Sequence, residues 1–337
     1  MKPLLRKAVF NIRSTQDFEQ AALAVFKYQY DNNKVYGEWC RLCGQTPSKV
    51  RSVSGIPFLP IEFFKTHKVV SFYEEPTGFF QSSGTTRQNT AKHYIKDFEL
   101  YEKSFLANFQ LFFGSPDQYI FIVLLPNYQQ QNHSSLIYMM QRLIKESGQR
   151  ESGFYPEDYT QVAELLKASD QKQRKTILFG VTYALLDLVE RYRFHLQNTI
   201  VFETGGMKGR RKEITREDLH GILKKGFGIP HIASEYGMCE LFSQAYSERD
   251  GIFYTPPQMR VIFRDVNDPF SVVSDGKTGG INIIDLANMD SCAFIATQDL
   301  GRSCVNGGFE LLGRFEHSDI RGCNLLFPQY QKEVSKD

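Results

Sequence analysis

A run of hydroxyl side chains around a glycine stands out at 81–87, where the sequence is QSSGTTR. Gly84 permits close backbone approach to a ligand, and successive backbone N–H groups of such a loop can surround an anion. The hydroxyls add donors for phosphate oxygens, and Arg87 adds a positive charge. The run lacks the G-K-[ST] ending of a Walker loop. On chemistry alone, it fits a phosphate-binding loop and a hydroxyl-rich surface turn equally well.

Three further segments place charged residues beside glycines, in the order SEYGMCE at 234–240, ATQDLG at 296–301 and ELLGR at 310–314. Glu240 follows a predicted strand, and an acidic residue at the end of a parallel strand is well placed to hold a Mg²⁺ ion that bridges phosphates. Asp299 can accept hydrogen bonds from a ribose diol, and Arg314 can add a second contact. Taken alone, each segment is more typical of an ordinary turn.

Two cysteine patterns are also candidates for chemistry. Cys323 lies beside Gly322 and Arg321, so its thiol can be exposed with a lowered pKa, although cysteine is also a common buried residue. Cys40 and Cys43 form a C-x-x-C pair, but a zinc site normally needs two more ligands at comparable spacing. The pair is compatible with a redox site, but the sequence favours two thiols in the core or on the surface of a helix.

The composition argues against several classes of protein. The chain has 337 residues, 42% of them hydrophobic, which is enough to bury a large core. A net charge of +2 gives no electrostatic footprint of the kind that nucleic-acid binders need. The longest purely apolar run, at 120–125, is far short of the roughly 20 residues of a membrane helix, and basic residues interrupt the N-terminus where a signal peptide would lie. The six scattered cysteines do not suggest a disulfide framework, so we expect a cytoplasmic protein with free thiols, no nucleic-acid partner and no membrane span.

Hydrophobic periodicity indicates the elements that must position these residues. Residues 1–75 have a mainly helical pattern, and 76–250 alternate strand-like apolar runs with helical stretches. In 251–337, strand-like runs are joined by Gly, Asp and Asn turns. Alternating strands and helices predict an α/β fold with parallel strands, followed by a β-rich part. No linker or repeat divides the chain, so 1–337 is predicted to be a single domain.

The predicted strands of the α/β part are 119–125, 176–179, 199–202 and 230–233. The predicted helices of that part are 97–113, 134–145, 161–167, 183–191 and 215–224. The predicted strands of the β-rich part are 261–263, 280–286, 293–297 and 309–312. Asp97 is the expected N-cap of the first of these helices, because its side chain can accept a hydrogen bond from the first turn.

Together, and in this order, the segments resemble the motifs of the adenylate-forming superfamily of acyl- and aryl-CoA ligases. The hydroxyl-rich run matches its Ser/Thr/Gly phosphate loop. YGMCE at 236–240 resembles its Y-G-x-T-E motif, with Cys239 in place of threonine. TQD at 297–299 resembles its T-G-D motif, with Gln298 in place of glycine, and GR at 313–314 resembles the motif that ends its large domain. Four ordered motifs are much more specific than any one of them.

The chain is more closely similar to the acyl-protein synthetase family, the fatty-acid-activating component of the bacterial bioluminescence reductase complex. The segments 125–139 and 309–323 resemble stretches of that family. The implied fold is the large domain of an adenylate-forming enzyme, with parallel-strand sheets packed by helices. Because the sequence stops soon after 313–314, the small mobile C-terminal domain of full-length ligases is expected to be absent. In this family a cysteine near the C-terminus takes the acyl group, and Cys323 occupies the matching position.

The resemblance implies a ligase that uses ATP and Mg²⁺. A carboxylic acid, expected to be a fatty acid, becomes acyl-AMP with release of pyrophosphate. Cys323 then takes the acyl group as a thioester and passes it to an acyl-accepting protein such as an acyl-CoA reductase or an acyl carrier protein. Glu240 is expected to hold Mg²⁺. His133 is expected near the acyl pocket, although a hydrogen-bonded histidine at a helix start fits equally. The implied nucleotide-binding residues are Ser82, Ser83, Gly84, Thr85, Thr86, Gly205, Gly206, Tyr236, Gly237, Asp299 and Arg314.

Two other functions fit the same residues. One is a ligase that passes the acyl group directly to CoA or a carrier protein, with Cys323 structural. The other is an interaction protein that kept the fold and nucleotide binding but lost catalysis. The replacements Cys239 and Gln298 also leave a partly degenerate enzyme open, since a thiol is a weaker donor than a hydroxyl and glutamine changes the turn before Asp299.

Overall fold

The computed structural model describes residues 2–82, 90–126, 133–156, 158–205 and 214–315. The helices of these ranges are α1 (Lys2–Val9), α2 (Thr15–Asn32), α3 (Lys34–Leu42), α4 (Phe63–Thr66), α5 (Phe98–Phe113), α6 (Ser135–Ser147), α7 (Tyr159–Gln171), α8 (Thr182–Arg191) and α9 (Arg216–Phe227). The strands are β1 (Leu59–Pro60), β2 (Gly78–Gln81), β3 (Lys92–Ile95), β4 (Ile120–Leu124), β5 (Gly153–Phe154), β6 (Thr176–Val181), β7 (Thr199–Thr204), β8 (Ala233–Tyr236), β9 (Ala245–Ser247), β10 (Ile252–Phe253), β11 (Met259–Arg264), β12 (Gly279–Asp285), β13 (Phe294–Ser303) and β14 (Phe309–Arg314).

The first large sheet has the strand order β5-β4-β6-β7-β8-β9. The strands β5, β4, β6, β7 and β8 run parallel, and β9 is antiparallel to β8. Every residue of β4 and β6 is buried, as expected for central strands covered on both faces by helices. The predicted alternation of strands and helices is therefore confirmed. Because the strands are parallel, their carboxyl ends meet at one edge of the sheet, where ligands bind in such folds.

The strand predicted at 230–233 begins and ends later in the structure than the sequence indicated. Strand β8 begins at Ala233, which pairs with Phe202 of β7, and continues to Tyr236. Pro230 has no N–H to donate to a ladder, so the residues that follow it reach the sheet only at Ala233. The shift places Glu235 and Tyr236 inside the strand rather than after it.

The second large sheet is formed mainly by the β-rich part. Its strands follow the order β10-β14-β13-β12-β11, and all of these neighbours are antiparallel. Strand β1, from the N-terminal part, joins the sheet by pairing in parallel with β13, with Leu59 opposite Ile295. The N-terminal helices are thereby tied to the strand that carries the TQD motif.

Capping confirms two helix starts predicted from the sequence. The Asp97 side chain accepts a hydrogen bond from the backbone N–H of Glu99, and α5 then runs to Phe113. Thr215 caps α9 by accepting from the N–H of Asp218, in a first turn rich in acidic residues.

The cysteines of the described ranges are all free thiols, as expected. Cys40 is buried in α3, where burial raises the pKa of its thiol to about 12. Cys43 follows as the C-cap of the same helix. A thiol with such a pKa is protonated at neutral pH and is a poor nucleophile, so the structure favours the interpretation of Cys40 as a core residue. None of the helices in the described ranges combines the length and the apolar composition that a bilayer crossing requires.

Gln29 connects α2 to the turn between β12 and β13. The side chain is fully buried, and its Oε1 accepts a hydrogen bond from the N–H of Ala293 at 2.9 Å. Its amide nitrogen donates to three main-chain carbonyls, each at 3.1 Å, those of Asn288, Met289 and Ser291. One side chain thus satisfies main-chain groups that form no part of a sheet ladder.

We expect Gln29→Leu to lower the free energy of unfolding by about 3 kcal/mol, because a buried polar group left without a partner costs about 1–3 kcal/mol. Urea unfolding followed by fluorescence measures this loss. Gln20→Leu, on the exposed side of the same helix, is the matched control and should change stability by less than about 0.5 kcal/mol. A loss below about 1 kcal/mol in Gln29→Leu would show that the network contributes little.

Candidate functional site

A cavity of about 400 Å³ lies at the carboxyl ends of β7 and β8. Residues of both large sheets and of the β2–β3 hairpin line it. The lining includes Ile61, Lys65, Ser82, Ala91, Tyr101, Ser135, Leu136, Met139, Thr204, Gly205, Glu235, Gly237, Glu240, Gln244, Gln298 and Arg314. Five residues proposed from the sequence motifs are in this set, although they come from four distant parts of the chain.

Asp299 is the best-anchored of the predicted site residues. It is 8% exposed, and Oδ2 accepts a hydrogen bond from the hydroxyl of Tyr236 at 2.8 Å. Oδ1 lies 3.0 Å from Nε of Arg314, which is opposite Asp299 in the β13–β14 register. The Arg314 side chain is itself 70% exposed. The structure therefore brings together three residues predicted to contact a nucleotide, with a carboxylate that still has lone pairs to offer.

Glu240 lies in a buried turn after β8. Burial raises the pKa of its carboxyl, while the positive charges of Arg314 and Lys65 act in the opposite direction. The main-chain carbonyl of Glu240 accepts a hydrogen bond from Nδ2 of Asn288 at 2.7 Å. The turn is thereby fixed to the second sheet.

His93 supports the same turn and was missed by sequence reasoning. It is fully buried, with Nδ1 2.7 Å from the carbonyl oxygen of Cys239 and Nε2 3.0 Å from Oδ1 of Asn288. Its position in β3 carries no motif, since only the folded hairpin brings it to a turn that is distant in sequence.

Ser82 closes the hairpin from which the predicted phosphate loop extends. Its backbone N–H donates to the carbonyl of Ala91 at 3.1 Å, and its hydroxyl accepts from the N–H of Ala91 at 2.9 Å. Both residues line the cavity, so the hairpin opens beside it. The remaining predicted loop residues, Ser83, Gly84, Thr85 and Thr86, lie outside the described residues.

Two glycines border the cavity on the side of the parallel sheet. Gly205 directly follows β7 and has φ +77°, a backbone conformation that residues other than glycine rarely adopt. Gly237 follows β8, and a Cβ atom there would lie 2.3 Å from Oε1 of Glu235. Gly206 lies outside the described residues.

His133, one of the two residues predicted to be catalytic, does not line this cavity. His133 is exposed and stacks on Phe79, with ring centroids 4.1 Å apart, in a neighbouring groove. Its main-chain carbonyl accepts a hydrogen bond from the N–H of Gln81 at 2.8 Å, so it borders the hairpin rather than the cavity. Cys323 lies outside the described residues. Both roles stay predictions.

The two departures from the motif pattern have structural partners. The Cys239 side chain is buried against Glu240, and burial raises the pKa of its thiol well above the usual range. Gln298 lines the cavity and donates a hydrogen bond from Nε2 to Glu62. Gln298 therefore connects the strand of Asp299 to the N-terminal part of the chain.

The acidic side chains near the cavity determine whether it can hold Mg²⁺. In the described ranges, no group of three or more His, Cys, Asp or Glu side chains is arranged to hold a metal ion by itself. Mg²⁺ at nucleotide sites is usually held by one or two carboxylates together with substrate phosphates. Glu240, one of the two carboxylates among the described residues that line the cavity, fits that kind of site.

Glu235 is a second acidic residue of the cavity, and sequence reasoning did not single it out. Its Oε2 accepts a hydrogen bond from the hydroxyl of Thr204 at 3.1 Å. Burial, with a smaller contribution from the like charge of Glu203, raises the pKa of Glu235 to about 7. A strongly shifted carboxyl in a cavity is a common mark of a functional site. Its position next to the YG of the motif was the only available signal.

No protein-family model and no curated protein sequence matches the chain. Comparison with solved structures shows that this chain has the fold of adenylate-forming acyl-CoA ligases. A 2-hydroxyisobutyryl-CoA ligase in the postadenylation state, in complex with 2-HIB-AMP, matches with a TM-score of 0.65 and 12% identity, over 90% of this chain and 69% of that chain. ATP-bound MatB from Rhodopseudomonas palustris matches with a TM-score of 0.54 and 16% identity, over 70% of this chain and 47% of that chain. The chain thus aligns with about half the length of MatB and about two thirds of the other ligase.

The raised pKa of Glu235 predicts a specific pH dependence of stability. Because the pKa rises from 4.5 to about 7 on folding, the folded state binds more protons between these values, and stability falls as pH rises through this window. Glu235→Gln keeps the acceptor for Thr204 but removes the charge. We expect the variant to be more stable than the parent by about 2–3 kcal/mol at about pH 8, and the gain to vanish at about pH 4.

Urea unfolding of both proteins across this pH range measures the difference. Glu217→Gln, at an exposed position of α9, is the control and should show no such pH-dependent gain. A gain that stays constant from acid to neutral pH would contradict the assignment of the shift to Glu235.

Proposed function

We propose that this protein activates a carboxylic acid with ATP, forming acyl-AMP and pyrophosphate. The observation that carries the proposal is the convergence of Ser82, Gly205, Glu240, Asp299 and Arg314 on one cavity or its wall. The cavity lies at the carboxyl edge of a parallel sheet, in a fold that the ligases with bound acyl-AMP and ATP also have. Those ligases support adenylation as the reaction.

Each predicted nucleotide contact has a physical role. The carboxylate of Asp299 accepts hydrogen bonds from the ribose hydroxyls, and Arg314 both orients Asp299 and adds a donor. Gly205, Gly206 and Tyr236 frame the adenine, with Gly237 beside them. The loop at 82–86 donates to the phosphates, and Glu240 holds the Mg²⁺ that offsets their charge. This is positioning and electrostatic work.

The reaction has two chemical steps before the acyl group leaves. A carboxylate oxygen of the acid attacks the α-phosphorus of ATP, and the bond to pyrophosphate breaks. The thiolate of Cys323 then attacks the acyl carbon, and AMP leaves with the electron pair of the broken bond. An acceptor thiol on an acyl-CoA reductase or an acyl carrier protein finally displaces Cys323. The resemblance to acyl-protein synthetases supports this route and a fatty acyl chain, in the cytoplasm. His133 would act near the acyl group.

Direct transfer to CoA is the second candidate. One structural neighbour is a CoA ligase in complex with 2-HIB-AMP and CoA in its thioesterification state. In that case the thiol of CoA attacks the acyl-AMP, and Cys323 has no covalent role.

We expect Asp299→Asn to lower carboxylate-dependent ATP–pyrophosphate exchange about 10- to 100-fold, mainly through the KM for ATP, because hydrogen bonds to a charged group contribute about 1.5–3 kcal/mol. Asp31→Asn, at an exposed position of α2, is the matched control and should exchange like the parent. Absence of exchange by the parent protein across a broad panel of acids would instead favour a nucleotide-binding interaction protein.

We expect incubation with ATP, Mg²⁺ and the acid to add one acyl mass to the protein, and Cys323→Ser to abolish this adduct. Intact-protein mass spectrometry, with hydroxylamine to cleave thioesters, measures the adduct. Cys43→Ser is the matched control and should keep it, because Cys43 lies outside the cavity. If Cys323→Ser still forms thioester product with CoA at the full rate, the covalent step is wrong and direct transfer is correct.

A further inference from the structure

One end of the cavity presents hydrogen-bond acceptors that have no donor. Thr204 donates to Oε2 of Glu235, but no described residue donates to the other oxygen, Oε1. Gln244 lines the same cavity and is 4% exposed. Its Oε1 has no hydrogen-bond partner in the described part of the chain. A buried acceptor without a donor is costly, and the Oε1 of Gln244 is such an acceptor. Together with the Glu235 oxygen that receives no hydrogen bond from the described residues, it indicates that a ligand supplies a donor.

Gly237 shows that the side chains of Glu235 and Gln244 lie close to each other. A Cβ atom at this position would be 2.3 Å from Oε1 of Glu235 and 3.3 Å from Cγ of Gln244. Both side chains therefore pack under the backbone that follows β8. Tyr101, another lining residue, does not supply the missing donor, because its hydroxyl donates to the carbonyl of Ser135 at 3.1 Å.

The cavity is also electrostatically divided. Lys65 and Arg314 line it, and both positive charges act on Glu240. The charge that acts on Glu235 is the like charge of Glu203. Anionic phosphates and a substrate carboxylate are therefore favoured beside Lys65 and Arg314. That arrangement leaves the end of the cavity beside Glu235 for the remainder of an acid. An alkyl tail there would leave both acceptors unpaired.

We propose that Glu235 and Gln244 form an acceptor subsite for a donor group on the substrate. The substrate is then an amino- or hydroxy-substituted carboxylic acid, and a fatty acid at this site carries such a substituent. This inference rests on the proposed acid activation and narrows its substrate class. A site built to hydrogen-bond a substrate OH or NH strongly rejects the analogue that lacks it, because the polar groups of the site are then left without partners.

The test compares matched acids that differ only in one substituent: an alkyl acid, its hydroxy derivative and its amino derivative. ATP–pyrophosphate exchange gives kcat/KM for each acid. We expect the parent protein to favour a substituted acid by about 100-fold or more. Glu235→Leu should reduce this preference to less than about threefold, whereas Glu217→Leu should leave it as in the parent. Urea unfolding shows whether each variant is folded.

The variant Glu235→Gln shows whether the donor group of the substrate is a hydroxyl or an amino group. Because glutamine keeps an acceptor without the charge, a preference for the hydroxy acid should survive, and a preference for the amino acid should fall at least about tenfold. A parent that prefers the alkyl acid, or a preference unchanged in Glu235→Leu, overturns the proposal. So does a loss confined to the KM for ATP, which would assign the acceptors to the amino group of adenine.

Thermal stabilisation by the acids in the absence of ATP separates this inference from acid activation itself. Stabilisation by a substituted acid that disappears in Glu235→Leu, without any exchange, would support the subsite and refute adenylation. Exchange with no preference among the matched acids would support adenylation and refute the subsite. Neither exchange nor stabilisation would refute both.

Discussion

The hydrogen bond from Tyr236 to Asp299 joins the two large sheets at the point where the cavity forms. Tyr236 ends β8 of the parallel sheet, and Asp299 lies in β13 of the antiparallel sheet, 63 residues later in the chain. The cross-strand neighbour Arg314 holds the other carboxylate oxygen. Because this carboxylate is buried, its two partners replace hydrogen bonds that it would otherwise make with water. The geometry of the candidate nucleotide site thus depends on how the two sheets are held together.

Space is the second constraint on the site. The carboxylate of Glu235 occupies the volume that a side chain at position 237 would fill. The glycine of the YG motif is needed here for the room it leaves and not for a left-handed backbone, since Gly237 is absent from the positive-φ glycines of the described chain. A small change at this position would therefore move the charged group rather than the loop.

Much of the fold could be predicted because its signals are local. The apolar run of β4, the capping by Asp97 and the alternation of strands with helices can each be read within a short window of sequence. The start of β8 was misplaced for two reasons. Pro230 cannot donate to a ladder, which is a local signal, but the first pair of β8, Ala233 with Phe202, depends on tertiary contacts. Tertiary contacts, and not propensity, determine such boundaries.

The residues of the candidate site also divide into those that the sequence could predict and those that it could not. Asp299, Arg314 and Tyr236 were predictable because ordered motifs resemble those of a known superfamily, and the structure brings them together. Glu235 and His93 were not, because their significance comes from contacts with Thr204 and Cys239, which are remote in sequence. A shifted pKa is a property of the folded surroundings and leaves no trace in composition.

The pairing of β1 with β13 has a consequence for the order of events during protein synthesis. Leu59 emerges from the ribosome early, but its partner Ile295 is made more than two hundred residues later. The turn that Gln29 stabilises is also synthesised more than two hundred residues after Gln29. The N-terminal segment must therefore stay without its final partners during most of translation, with apolar surface available to chaperones. Contacts between such distant parts of a chain also slow folding, so the cavity is expected to be among the last features to form.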